Sequence, residues 1–440
     1  MKRYEAYKST GLKWFPEIPN GWEWRFLCQV AQEQIIKKPS GEMYPVMTLS
    51  YGEIKRKKNI DSGLVPSNYD NYQMLYKGNI VLRLIDLQND HTSLRTGLVK
   101  ETGIITSAYT CIAPLENASY IRYLLHSYDT RKVFYGYGGG VRQSIGFKDI
   151  RHLQVPVPPR AEQDQIVRYL DWQVSKINRL ISAKRKEIDL TREYLSVKIE
   201  DAFNSVIGTS SVMLPLGRYI RKIESGTSVN SIMGSANAGA PGVLSTSCVY
   251  GNCFNASQNK QVAPIDYERV SCPVRKDTVI VSRMNTPSLV GACGYSDKDI
   301  DNVFLPDRLW QVYFNDTLMP EFVWRYLSRQ SVQSWFATIA TGSSNTMKNI
   351  TKLQFKTVLI PNIDLEKQKR VTEIIRKIMD KRNTSCQLYE KTISNLQDLR
   401  TRLISDVVTG QIDVRSIKVP DYELVDEVVH DSEDEEPEVE

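Results

Sequence analysis

The 440-residue sequence has no apolar run approaching the length of a membrane span and no secretory leader pattern, so nothing in it reads as an anchor. Its seven cysteines are scattered, which excludes a disulfide framework and points to a reduced, cytoplasmic protein. Cys248, Cys253, Cys272 and Cys293 do not have the spacing of a zinc ribbon or finger, and no histidine lies near them, so no metal site is expected. The four histidines, His91, His126, His152 and His430, are dispersed, which argues against a histidine-rich site. No Gly-x-x-x-x-Gly-Lys-Ser/Thr loop is present, so no nucleotide-driven motor resides here. Also missing is the Asp/Asn-Pro-Pro-aromatic motif with which an amino-methyltransferase holds a flipped base; Pro158-Pro159 follows Val157 and introduces a helix instead. Phe134-Tyr135-Gly136-Tyr137-Gly138 has the short glycine pattern of methyl-donor sites, but it follows a predicted helix rather than a strand and reads as a hinge.

What the chain does have is a repeat. Shifting the sequence by 205 residues brings Pro156 onto Pro361, Gln163 onto Gln368, Ile166 onto Val371, Ile188 onto Ile393 and Asp201 onto Asp406 without a gap. Both copies begin at a proline junction and continue as a long amphipathic segment. Alternating steps of three and four from Val167 through Leu170, Val174, Ile177 and Ile181 to Ala202 meet apolar residues at eight of eleven positions. The same steps from Thr372 to Val407 do so again. Two such seams, too apolar for water and similar in length, are expected to pack on each other antiparallel, with a globular unit at each end. At 1.5 Å per residue the spacer would be roughly 65–70 Å long.

The expected organisation is α+β: residues 1–154 a first globular unit, 155–205 a first helical spacer, 206–359 a second unit, 360–415 a second spacer, and 416–440 an acidic, disordered tail. Short strands dominate both units, and the β-branched runs Asn79–Ile85 and Thr278–Arg283 each deliver an arginine. Helices are expected around 120–134 and 321–336, where Arg122-Tyr123-Leu124 matches Arg325-Tyr326-Leu327 at nearly the same offset. The whole chain reads as a divergent tandem repeat. Charge narrows the partner. Residues 421–440 hold eleven acids and no Lys or Arg, and without them the chain carries a net charge of +17. Such a body attracts a polyanion, and nucleic acid is the commonest one.

Several segments together resemble the specificity subunits of type I restriction–modification systems. They are Tyr7-Lys8-Ser9-Thr10-Gly11-Leu12-Lys13-Trp14 with Ile18-Pro19 and Trp22-Glu23; the stretch Val81 to Asp90 with Ser93 to Leu98; Gly138 to Ile145; Val155-Pro156-Val157-Pro158-Pro159 with Glu162-Gln163; and Val408 to Asp413. The likeness covers nearly all of residues 1–415. It departs from the family at Ile360-Pro361-Asn362, which lacks the double proline, and at the acidic tail. The resemblance implies two target-recognition domains separated by two conserved helices, each domain reading one half of a bipartite, gapped site on double-stranded DNA. It further implies two methyltransferase subunits docked on the helices, restriction–translocase subunits joining them, no catalysis by this chain, and S-adenosylmethionine, ATP and Mg on the partner subunits. Candidate DNA-binding residues in the first unit are Arg83, Gln88, Asn89, Arg95, Arg142, Gln143 and Ser144. In the second they are Arg283, Asn285, Ser288, Arg308, Ser344, Asn345, Thr346 and Lys348. Forked and amide groups of these kinds read base edges, while cations hold phosphates. The other reading is a coiled-coil scaffold that joins two protein-binding modules without DNA specificity.

Overall fold

A computed structural model describes residues 2–426, except 13–14, 58–68, 86, 88–93, 138–144, 209–210, 233, 237–238 and 343–346. The chain is a mixed α/β protein that divides into two compact units. Unit 1 comprises 1–186 and 389–440, and unit 2 is the continuous stretch 187–388. No described helix is long and apolar enough to cross a membrane.

In unit 1 the frame is a four-stranded antiparallel sheet in the order Ala31–Glu33, Thr110–Pro114, Ile80–Leu82, Thr96–Leu98. The central strand is all apolar because both its faces are covered, and Ile80, Val81 and Leu82 are fully buried. Helix Ala118–Thr130 follows the sheet, and Asn117 caps it by accepting the amide of Tyr120 at 3.1 Å. A second strand pair, Glu23–Phe26 with Gln154–Val157, closes the unit and leads into the first long helix.

Unit 2 has the same frame. Its antiparallel sheet runs Ile220–Ser225, Leu309–Phe314, Thr278–Ser282, Cys293–Ser296, and the central strand is again fully buried. Helix Pro320–Leu327 opens on a proline, whose missing N–H is one the first turn does not need. Met213–Pro215 pairs with Leu359–Pro361 before the second long helix.

The long helices span Arg160–Ile207 and Leu365–Val408. Their starts fall five residues after Val155 and Ile360, because each junction is spent as a strand whose prolines lie at the pair's edge. Within unit 1 the helices run antiparallel: Arg400 donates to Asn178 at 2.9 Å, Lys184 lies 5.3 Å from the ring centre of Tyr389, and Ile177 and Ile181 share a core with Leu403 and Val407. Within unit 2, Ala202 and Phe203 share a core with Val371 and Ile375, the same opposed numbering.

One repeated pair shows why the offset of 205 persists. Gln163 is buried in unit 1; its amide donates to the Pro158 carbonyl at 2.9 Å and its oxygen accepts from the Asn117 backbone at 3.1 Å. In unit 2, Gln368 donates to the Ile363 carbonyl at 2.9 Å and accepts from the Met319 backbone at 2.8 Å. Each glutamine therefore locks the start of a long helix to the loop that opens its unit's shorter helix.

The N-terminal segment meets the stretch that follows the second long helix inside unit 1. The Asp413 amide donates to the Lys2 carbonyl at 2.9 Å and the Tyr7 hydroxyl to the Gly410 carbonyl at 2.9 Å. Gly410 has φ +72°, and a Cβ there would stand 2.5 Å from the Pro19 ring, so the closure requires glycine on both counts. Beyond it the chain does not behave as a solvated tail, as expected for 416–440. Residues 414–426 lie along the first long helix: Gln165 donates to the Val414 and Ile417 carbonyls at 3.0 and 2.7 Å, and Asn178 to the Val425 carbonyl at 2.8 Å. The acid-rich stretch 427–440 lies outside the described residues.

Candidate nucleic-acid interface

In each unit the chain leaves the central strand, makes an excursion, and returns to the same spot much later. In unit 1 the Ile145 amide donates to the Leu84 carbonyl at 2.9 Å. In unit 2 the Ile350 amide donates to the Arg283 carbonyl at 2.9 Å. Residues 145 and 350 are 205 apart, one and two positions after a polar candidate segment. These bonds tie the stretches 83–95 and 283–288 to Ile145 and Ile350; the candidate Arg308 lies outside both stretches. In unit 2 the junction is extended by pairing of Met284 with Asn349 and of Asn285 with Lys348.

Two candidates point inward rather than out. Arg95 is fully buried; its guanidinium donates to the carbonyls of Arg83 and Ile85 at 3.1 and 2.8 Å, and its own amide to Asp129 at 2.7 Å. Carbonyls stranded at the strand exit need a donor, and a charged fork supplies one more strongly than a neutral group. Arg95 is thus a tie and not a surface reader. Asn285 is buried as well, donating to the Ser282 hydroxyl at 3.2 Å while its oxygen accepts the Thr286 amide at 2.9 Å. It shapes the turn rather than presenting its amide.

Arg83 is half-buried, and its amide donates to the Arg95 carbonyl at 2.9 Å. Arg283 is also half-buried; it donates to the Asp307 carbonyl at 2.7 Å and to Asn349 at 3.3 Å. Ser288 is exposed beside Thr286, Arg308 is exposed, and half-buried Lys348 reaches the Gly342 carbonyl at 3.1 Å. Gln88, Asn89, Arg142, Gln143, Ser144, Ser344, Asn345 and Thr346 lie outside the described residues. Of the expected hinge, Phe134 is fully buried in the unit 1 core, and residues from Gly138 on are likewise outside the described ones.

Unit 1 also contains a groove of about 810 Å³ that no motif announces. Its lining includes Ile85, Ile145 and Lys148, from within or just after the two candidate segments, together with Glu33, Ile35 and Lys37. The i, i+2, i+4 spacing of the latter three puts them on one face of an extended chain, which is the signal that could have found them. Asn71 and Tyr72 also line it. The floor is chemically quiet: Gln73 is buried and donates to the Thr106 and Tyr109 carbonyls, and burial pushes the Cys111 thiol up to about 12.

Known proteins show what this arrangement resembles. Residues 28–190 match the family described as Type I restriction modification DNA specificity domain. A chain named as the MjaX specificity subunit of a type I restriction enzyme of Methanocaldococcus jannaschii is 23% identical over 322 residues, covering 68% of each chain. A chain from a solved structure concerned with complex assembly and conformational transition of the type I R-M system is 16% identical. It covers 90% of this chain and 99% of that one with a TM-score of 0.56, which is a likeness of fold.

Proposed function

We infer that this chain belongs to the specificity subunits of type I restriction–modification systems and serves as the DNA-recognition subunit of such a complex. The observation that carries the reading is the doubled geometry: two units repeat one frame, and at the exit of each central strand two polar segments are tied together by the same backbone bond. A protein that reads two short, unrelated sequences needs such a pair, in which the scaffold is constant and the projecting side chains differ.

In this reading each unit contacts one half of a bipartite site, and the paired long helices separate the two target-recognition domains as a coiled coil that sets the gap. The positive body holds phosphates, and the base edges of the major groove decide the sequence. The long helices supply docking faces for two methyltransferase subunits. Support comes from apolar side chains exposed on these helices: Leu190, Tyr194 and Val197 in unit 2, and Leu180 and Leu399 in unit 1. Restriction–translocase subunits would join that assembly. The chain itself performs no chemistry; S-adenosylmethionine, ATP and Mg act on the partner subunits.

The test is a genome-wide map of N6-methyladenine in the source cell with and without this gene. Deletion is expected to erase one motif made of two short fixed blocks around an unspecified gap. An unchanged map would overturn the reading and favour a scaffold that joins protein modules.

A further inference from the structure

We propose that the unit 1 groove is the base-reading cleft of its half-site, with Glu33 and Asn71 selecting bases, Ile35 meeting a pyrimidine C5 position, and Lys37 and Lys148 holding phosphates on either side. The proposal rests on the reading of the chain as a specificity subunit and names the residues by which one of its units discriminates.

Three observations lead to it. The first is location. The groove's wall at Ile85 and Ile145 is where the two polar candidate segments of unit 1 are joined by the Ile145 to Leu84 bond. The second is which polar groups are already used. Gln73 on the floor spends its amide on two backbone carbonyls, Asp149 accepts the Gly146 amide at 2.8 Å, and Cys111 is held protonated. Glu33 and Asn71 are exposed, and their side chains make no hydrogen bond or ion pair with the described residues. Glu33 and Asn71 are therefore among the groups that line the groove and remain for a ligand.

The third is charge. A carboxylate brought against DNA is repelled by the phosphates, so Glu33 weakens binding unless a base donates to it. The exocyclic amine of cytosine or adenine is the donor available in the major groove. An Asn amide pairs with the N6 and N7 edge of adenine, and an apolar side chain such as Ile35 suits the thymine methyl. Both lysines are exposed, as backbone contacts that fix register without reading sequence require.

The test uses the full chain with its methyltransferase partner, in cells that lack other methylation of that type, with motifs read by N6-methyladenine sequencing. Glu33→Gln and Asn71→Asp change exposed side chains that bond to nothing described, so folding is not at stake. Each is expected to relax or alter one position in one block, changing discrimination there by on the order of 5- to 150-fold, with the other block unchanged. Glu33→Gln should also bind non-specific duplex more tightly, because a repelling charge is gone. Lys37→Gln with Lys148→Gln should weaken binding to all sequences alike and reduce the slope of log K against log salt by about one per lysine. A wild-type bipartite motif left untouched by both Glu33→Gln and Asn71→Asp would overturn the groove assignment, as would a change in both blocks. A wild-type complex that writes no bipartite motif would overturn the specificity-subunit reading, and the assignment with it.

Discussion

Units 1 and 2 solve one problem with arginines taken from different places in the sequence. Where the central strand of unit 1 ends, the carbonyls of Arg83 and Ile85 are met by Arg95, which arrives fully buried from the far side of an excursion. Where the central strand of unit 2 ends, Arg283 does the tying itself. It donates to the Asp307 carbonyl and to Asn349 while staying part-exposed, with the Asp307 carboxylate 3.8 Å away. The frame demands a guanidinium at the strand exit but not at a fixed residue. The sheets beyond the frame diverge further. Unit 1 adds the two-stranded pair of Tyr72–Leu75 with Gly103–Thr106, whereas unit 2 adds a four-stranded sheet that includes a parallel pair, Gly242–Leu244 with Ile300–Phe304. A constant frame with freely replaced inserts is how two copies of one unit can come to recognise different things.

That contrast can be broken most forcefully at the arginines. Arg95→Met strands two carbonyls in the interior and is expected to destabilise unit 1 by about 3–5 kcal/mol. Arg283→Met leaves groups that water can reach and should lower unit 2's stability by only about 1–2 kcal/mol. Hydrogen exchange resolved by unit would measure both, and equal losses would show that the two ties are equivalent. The glutamine clamps should behave oppositely, because they sit in the shared frame. Gln163→Ala and Gln368→Ala are each expected to lose about 2–3 kcal/mol, equal within about 1 kcal/mol. A clear inequality in urea unfolding would place one of them outside the frame.

A pH dependence confined to unit 1 separates the units as well. Burial, reinforced by the charges of Arg122 and Arg400, holds the His126 pKa down at about 3. Above its ordinary value near 6.5 the ring is neutral in both folded and unfolded chains and contributes no pH dependence. Below that, the unfolded chain takes up a proton that the buried ring refuses, so stability falls as the pH drops. The slope is about 1.4 kcal/mol per pH unit between roughly pH 6 and 4. His126→Phe should flatten this part of the unit 1 profile in acid-titrated hydrogen exchange, and a slope that survives would assign it to other groups.

Much of the frame was legible in the sequence because it is local. The β-branched runs Asn79–Ile85 and Thr278–Arg283 contain the central strands, and the three-and-four seams became the long helices. Misreadings occurred where the decisive partner is distant. The span 321–336 reads as one helix but is two, Pro320–Leu327 and Gln330–Ile339, with Arg329 extended between them and ion-paired to Glu200. Arg95 reads as a surface cation because the carbonyls that bury it become neighbours only after the excursion closes. The groove was invisible for the same reason: its lining is drawn from the separate stretches 33–37, 71–73, 107–111 and 145–149 and from Ile85, which folding alone assembles.

The meeting of the N-terminal segment with the stretch around Gly410 also bears on the order of synthesis. Unit 2 is one uninterrupted stretch, so it has all its parts once residue 388 has left the ribosome. Unit 1, though made first, needs Leu403 and Val407 to complete its core and the Asp413 amide to cap the Lys2 carbonyl. At 5–20 residues per second, roughly 10–45 s separate residue 186 from that closure. During that interval the first-made half waits with its apolar seam open while the second half folds, so the part translated earliest is the part finished last.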